Sequence, residues 1–275
     1  MGKAILITGC STGIGYVAAH ELQNKGYKVI ASCRDPKDVD RLNQEGLTCI
    51  QLDLTDSKSI KLGVQKALAL CEGSLYALFN NGAYGQPGAL EDLPTDALRE
   101  QFEANFFGWH ELTKQVLPVM RKQGDGRIIQ NSSVLGFAAM KYRGAYNASK
   151  FALEGWTDTL RLELYQTNIK VSLIEPGPIE TQFRANAKAA FLKWINIDAS
   201  VHKTHYQQQL SRLSAEGSNN QFVLPPESCI VPLLHALESD NPKLRYRVTT
   251  PTKVFAVLKR LLPSKWLDPI LRKAA

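Results

Sequence analysis

Lys3-Ala4-Ile5-Leu6-Ile7-Thr8-Gly9-Cys10-Ser11-Thr12-Gly13-Ile14-Gly15 decides how the chain is read. A short aliphatic run ends in three glycines spaced four and two apart, and apolar Val17, Ala18 and Leu22 then recur at helical spacing up to Gly26, which is placed as a helix C-cap. Tyr27 to Ser32 is a second strand, so residues 3–34 form one strand–helix–strand unit. Where a strand hands over to a helix, glycines let the backbone approach a diphosphate, and the helix N-terminus offers free N–H donors and a positive dipole. The spacing differs from G-x-G-x-x-G, so that fingerprint does not apply unmodified.

Outward from this unit the pattern repeats. Strands are expected at Leu47–Leu52, Leu75–Asn80, Arg127–Ser132 and Lys170–Ile174, with helices between them, notably Thr95–Arg121 and Ala145–Tyr165. Pro118 should end or kink the first of these near its last turn. Aliphatic strands alternating with helices predict an α/β fold with a doubly wound, Rossmann-type parallel sheet. No internal repeat or low-complexity linker marks a second domain. The expected organisation is a cofactor-binding and catalytic domain over 1–250 and a basic amphipathic extension over 251–275. Residues 177–224 lose regularity and scatter large apolar groups such as Phe183, Phe191, Trp194 and Phe222 among polar ones. Residues 180–224 then read as a lid over an apolar ligand or as a plain surface insertion.

Composition narrows the class. With 275 residues, 44% hydrophobic and 21% charged, the chain is a folded protein rather than a disordered or fibrous one. The net charge of +7 is concentrated: residues 241–275 hold nine Lys/Arg against one acid, Asp268, leaving the remainder close to neutral. That distribution argues against a nucleic-acid surface. Five cysteines without ligand or CxxC spacing indicate neither zinc nor a disulfide framework. The apolar run before Thr8 is too short for a signal-peptide core, Leu6 breaks the myristoylation pattern, and no stretch reaches spanning length, so a cytoplasmic location is expected.

Two groups of residues carry chemistry. The second strand ends Ser32-Cys33-Arg34. Arg34 offers a planar fork of donors for a 2′-phosphate, and Ser11 and Thr12 add hydroxyls, which favours NADP(H). The competing reading has Asp35 on the ribose and Arg34 as a solvated charge. The second group is Ser133, Tyr146 and Lys150, with Asn105 upstream. On a helix Tyr146 and Lys150 share one face, and a nearby cation brings the phenol's pKa towards the working range. Such a tyrosine gives a proton to a carbonyl oxygen as hydride arrives at carbon, and the Ser133 hydroxyl can hold that oxygen.

Together these residues resemble the short-chain dehydrogenase/reductase family, whose motifs occur here in order: Thr8 to Gly15, Asn80-Asn81-Gly82-Ala83, Asn105, Ser133, Tyr146 with Lys150, and Pro176-Gly177-Pro178-Ile179-Glu180-Thr181. The resemblance implies that Tyr146 is the general acid/base, that Lys150 lowers its pKa and binds the nicotinamide ribose, that Ser133 orients the carbonyl, and that Asn105 holds a water. It also implies cofactor contacts from Gly9, Gly13, Ile14 and Gly15, from Asp53 with Leu54 at the adenine, from Asn80 and Gly82, and from Pro176, Gly177, Ile179 and Thr181. The family's Ala-Gly is exchanged at Gly82-Ala83, so Ala83 is expected to crowd the cofactor or nudge the backbone. Within the family the chain is similar to a bacterial NADP-dependent aldehyde reductase and to the 17β-hydroxysteroid and retinol dehydrogenase branch. That implies an aldehyde or apolar ketone as substrate and a homodimer or homotetramer paired through the two long helices.

A cofactor-sensing protein without turnover and a membrane-associated binding protein are the alternatives. The tail supports two readings of its own. Pro263 splits residues 251–273 into two amphipathic segments whose apolar faces either pack on the domain and close the pocket or lie on an anionic membrane surface.

Overall fold

The computed structural model describes residues 2–214 and 221–274; residues 215–220, part of the expected lid, lie outside the described residues. Seven strands form one parallel sheet: β1 (Ala4–Thr8), β2 (Lys28–Cys33), β3 (Thr48–Gln51), β4 (Ala77–Asn80), β5 (Gly126–Asn131), β6 (Ile169–Glu175) and β7 (Arg245–Arg247). Their spatial order is β3-β2-β1-β4-β5-β6-β7, with Thr8 opposite Ser32 and Asn131 opposite Ile174. The order reverses beside β1, which places a crevice at the carboxyl ends of β1 and β4.

Alternation within the strands fills both faces. Ile5, Ile7, Phe79 and Ile129 point to one face, covered by α1 (Gly13–Asn24) and, much later in the chain, by Leu233 and Leu237. Leu6, Leu78 and Ile128 point to the other, against α3 (Ser57–Leu70) and α5 (Gly108–Gln123), which follow α2 (Pro36–Gln44) and α4 (Thr95–Phe102). Each such side chain, removed from water, contributes about 1.5–3 kcal/mol.

The structure departs from the sequence reading in four places. The single helix expected over Thr95–Arg121 is interrupted by a π-helical turn at Glu103–Phe107, which carries Asn105 inward. It does not end at Pro118 but runs to Gln123, because buried Val116 and Met120 hold its inner face against the sheet, and Gly124 at φ +80° closes it. The segment taken as irregular contains two helices, α7 (Phe183–Trp194) and α8 (Lys203–Ser214), whose Phe191 and Tyr206 bury each other. The short β7 was missed because Arg245-Tyr246-Arg247 carries strand geometry only through its neighbour β6.

After α6 (Gly144–Glu163) and α9 (Ile230–Glu238), the chain ends in α10 (Thr250–Leu261) and α11 (Ser264–Lys273). The inner face of this last pair brings Phe255, Leu258 and Leu271 into an apolar cluster with Val134, Leu135, Ala138 and Tyr146. Among the described residues no helix is long and apolar enough to cross a membrane. All five cysteines are buried and free.

Candidate active site

The carboxyl ends of β1, β4 and β5 are tied together by side chains. The Thr8 hydroxyl accepts from the backbone N–H groups of Asn81 (2.8 Å) and Gly82 (2.9 Å). The Asn81 amide donates to the carbonyls of Thr8 and Gly9, and the Asn131 amide donates to Asn81 Oδ1 at 2.8 Å. The Lys150 ammonium, fully buried, donates to the Asn131 carbonyl at 2.7 Å, so a continuous chain of bonds joins the glycine loop to Lys150.

The glycine loop is too tight for side chains. Gly9 (φ +69°) and Gly13 (φ +63°) sit in the left-handed region, and β-carbons there would lie 2.4 Å from the Gly82 Cα and 2.9 Å from Thr181 Cγ2. The helix behind the loop begins without a cap: the Thr12 side chain makes no capping bond and no acid stands in the first turn of α1. By contrast α2 and α3 are capped by Asp35 and Asp56. An uncapped helix N-terminus beside a glycine cradle is chemically suited to a diphosphate. The loop is braced from outside by Arg41, which donates to the Ser11 carbonyl at 2.7 Å and pairs with Asp38 and Glu45.

At the end of β2 the two competing residues part. Asp35 Oδ1 accepts from the Lys37 N–H at 2.9 Å and is committed to its helix, whereas exposed Arg34 makes no ion pair among the described residues. Asp53 is engaged locally by the N–H and hydroxyl of Thr55 (2.9 and 2.8 Å). Leu54 packs against Gly82, where a β-carbon would meet its Cδ1 at 3.1 Å. The exchange at 82–83 therefore has a local reason: residue 82 lies back to back with Gly9, and a methyl there would also stand 3.2 Å from the Gly9 nitrogen. Ala83 is not among the left-handed residues, so its side chain is carried by an ordinary backbone conformation. Asn80 turns away from the crevice and donates to the Thr113 hydroxyl at 3.1 Å.

On the other side of the crevice, Ser133 lies two residues beyond β5 and caps a short helical turn, accepting from the Leu135 N–H at 3.1 Å. Its hydroxyl faces the phenol of Tyr146 and favours the ionised form. Tyr146 and Lys150 lie one turn apart on α6, with Nζ 5.7 Å from the phenol ring centroid. Trp109, fully buried and anchored to the Gly82 carbonyl at 2.8 Å, covers the ammonium at 4.3 Å. Asn105 holds both backbone groups of Tyr84 (2.9 and 3.2 Å) and donates to Ser149 at 3.4 Å.

The electrostatics differ from the simple expectation of a lowered phenol. Burial pushes Tyr146 up to about 12, against the opposing pull of the Ser133 hydroxyl and of Arg143. Burial also brings Lys150 down to about 7, with Glu154 pulling it back up. Desolvation thus outweighs the pairing of the two groups. Glu154 belongs to a partly buried ionic cluster that sequence reading missed: Arg245 lies 3.1 Å from it, 2.7 Å from Asp158 and 3.1 Å from Glu175, and Arg247 lies 3.3 Å from Glu175. Burial and the neighbouring Glu154 raise Glu175 to about 7.

The remaining motif frames the crevice. The Pro176 carbonyl accepts from Val134 N–H at 2.8 Å, and Gly177 lies against the Thr249 hydroxyl. Ile179 bridges to Leu224, and Thr181 touches Gly13 and receives the Phe183 N–H at 3.2 Å. Ile14 stays half-buried at the head of α1. The structure therefore brings Ser133, Tyr146 and Lys150 together, and the glycine loop with Thr181, while Asn80 is bonded to Thr113 and Asp53 to Thr55.

Comparison with known proteins agrees with this geometry. A profile of the short chain dehydrogenase family matches residues 3–190. The chain belongs to the short-chain dehydrogenase family. It is similar to an uncharacterized oxidoreductase, YbbO, of Escherichia coli K12, 43% identical over 99% of this chain and 95% of that protein. Human retinol dehydrogenase 8 is 32% identical over 94% of this chain and 85% of its own. The crystal structure of a short-chain dehydrogenase from Streptomyces avermitilis superposes with a TM-score of 0.79 at 28% identity, covering 98% of each chain. This short-chain dehydrogenase is an oxidoreductase.

Proposed function

We propose that this oxidoreductase reduces aldehydes or apolar ketones to alcohols with NADPH, Tyr146 being the general acid. The observation that carries the reading is the Ser133–Tyr146–Lys150 group, with Ser133 and Lys150 buried and Tyr146 half-buried between them, walled by Phe183, whose ring lies 5.3 Å from that of Tyr146, and by Phe255 and Leu258 of α10. Such a wall favours an apolar carbonyl compound. Its similarity to retinol dehydrogenase 8 supports the same substrate class.

The glycine cradle and open helix end fit a dinucleotide, which Gly9, Ser11, Thr12, Gly13, Ile14 and Gly15 would hold at the diphosphate, with Ile179 and Thr181 at the nicotinamide side. Arg34, unpaired beside a committed Asp35, would hold a 2′-phosphate. When bound, the cofactor supplies the hydride. A phenol with a pKa near 12 stays protonated at neutral pH, so Tyr146 Oη is a proton donor to the carbonyl oxygen. Ser133 Oγ donates a hydrogen bond to the same oxygen and fixes its position. Once the proton has left, the phenolate raises the proton affinity of Lys150, whose ammonium then balances the charge while the Asn131 carbonyl keeps it in place.

We further read α7 and α8 as the cover of the substrate side, and the enzyme as a cytoplasmic homodimer or homotetramer joined through α5 and α6, where Phe151 and Leu162 are exposed. Light scattering tests the assembly; a monomer at micromolar concentration contradicts it. For the activity, purified protein is offered NADPH or NADH with medium-chain and aromatic aldehydes, retinal and steroid ketones. Consumption of NADPH with apolar carbonyl compounds is expected; preference for NADH, or no consumption across the panel, overturns the reading.

A further inference from the structure

The C-terminal helix pair has two apolar faces, and only one of them is used by the fold. Phe255, Leu258, Leu267 and Leu271 turn inward, Leu267 being 2% exposed. Flanking that inner face, about 100° around α10, Val254, Val257 and Leu261 follow one another at intervals of three and four, and on α11 Trp266 and Ile270 are four apart, so each set forms one stripe. These side chains are in water: Val257 is 54% exposed, Leu261 71% and Trp266 65%. Six cations, Lys253, Lys259, Arg260, Lys265, Arg272 and Lys273, are exposed around them against one acid, Asp268. Among the described residues none of the six makes an ion pair.

We propose that this outer face docks on the surface of an anionic lipid bilayer. An apolar stripe rimmed by unpaired cations, with an indole at its edge, matches a negatively charged interface in both charge and polarity. A second copy of the chain matches it poorly. Two such faces would bring six cations against six, and the rest of the chain, with 24 basic and 25 acidic residues, offers no compensating acidic excess once the nine Lys/Arg and Asp268 of residues 241–275 are set apart from the 33 and 26 of the whole. Because the inner face of the same helices packs around Tyr146, docking would bring the tail-side wall of the site to the lipid.

The test is flotation of the full-length protein on vesicles of phosphatidylcholine and phosphatidylglycerol at about 7:3, and on phosphatidylcholine alone. The protein is expected to float with the anionic vesicles only, and to be released when salt rises from about 0.1 M to about 1 M, where the screening length contracts about three-fold. Leu261→Glu with Trp266→Glu is expected to weaken binding at least about 100-fold. Each of Lys259→Gln and Arg260→Gln should weaken it about five-fold. All four positions are exposed, and an unchanged thermal transition shows that the variants fold. Absence of flotation on anionic vesicles, flotation undiminished in the double variant, or a native assembly that the double variant dissociates would each overturn the proposal. Flotation reads no catalysis, so its outcome is separate from that of the reductase reading.

Discussion

From Ala4 to Leu70 each strand is followed within a few residues by a helix, and the glycine loop, α1 and the end of β2 meet within 35 residues of one another. From Asn131 onward the site is assembled from afar: Ser133, Tyr146, Phe183 and Phe255 come from four stretches, and Lys150 is held by β5 from below and Trp109 of α5 from above. The nucleotide side is therefore a local device whose constraints are backbone conformation and helix ends. The substrate side is a long-range device whose constraints are burial and desolvation. The first tolerates no added atom; the second sets its chemistry by taking charged and phenolic groups out of water.

The sharpest contrast is in pH dependence. The folded protein sheds the Lys150 proton above about 7, while the unfolded chain keeps it to 10.5. The unfolded state thus binds more protons through this window, and raising pH stabilises the fold. Denaturation of wild type against Lys150→Met is expected to show the wild type gaining about 1 kcal/mol per pH unit between those limits, about 4 kcal/mol in all. A pH-independent difference would break the claim that burial governs this side. On the nucleotide side Gly9→Ala is expected to cost about 3 kcal/mol or more in urea unfolding, through left-handed strain and contact with Gly82. A cost below about 1 kcal/mol would mean the loop has room to give.

Arg34→Leu should raise the KM for NADPH about 10- to 100-fold and leave that for NADH unchanged, since one charge-assisted group is lost. An equal effect on both cofactors would remove Arg34 from the phosphate. The smallest effect belongs to the remote wall: Phe255→Ala is expected to lower kcat/KM about 10-fold for long apolar aldehydes and hardly at all for short ones. Loss for both would make Phe255 a prop of the fold rather than part of the wall.

This contrast also explains what was legible from sequence. Strand periodicity and the Gly9, Gly13 and Gly15 spacing disclose the doubly wound sheet because local geometry enforces them. Tyr146 and Lys150 could be paired because one helix carries both. Trp109 over Lys150, Asn81 and Asn131 as ties, and the Glu154–Arg245–Glu175 cluster were not legible, since each joins elements 19 or more residues apart. The double asparagine was a visible signal for Asn81, but its partner could be known only from the sheet order. The π turn at Asn105 left no mark on helical periodicity, and α7 and α8 were hidden because α7 is rich in alanine without a clear stripe of large apolar residues, α8 is mostly polar, and their buried aromatics answer to one another, as Phe191 does to Tyr206.

Tyr146→Phe tests the central claim most directly, by titrating NADPH into wild type and variant and following aldehyde-dependent NADPH oxidation in both. The account predicts unchanged NADPH affinity with turnover lowered about 1,000-fold, because only the proton donor is gone. A variant that turns over within about ten-fold of wild type would contradict it, since the proton would then reach the carbonyl oxygen from another group.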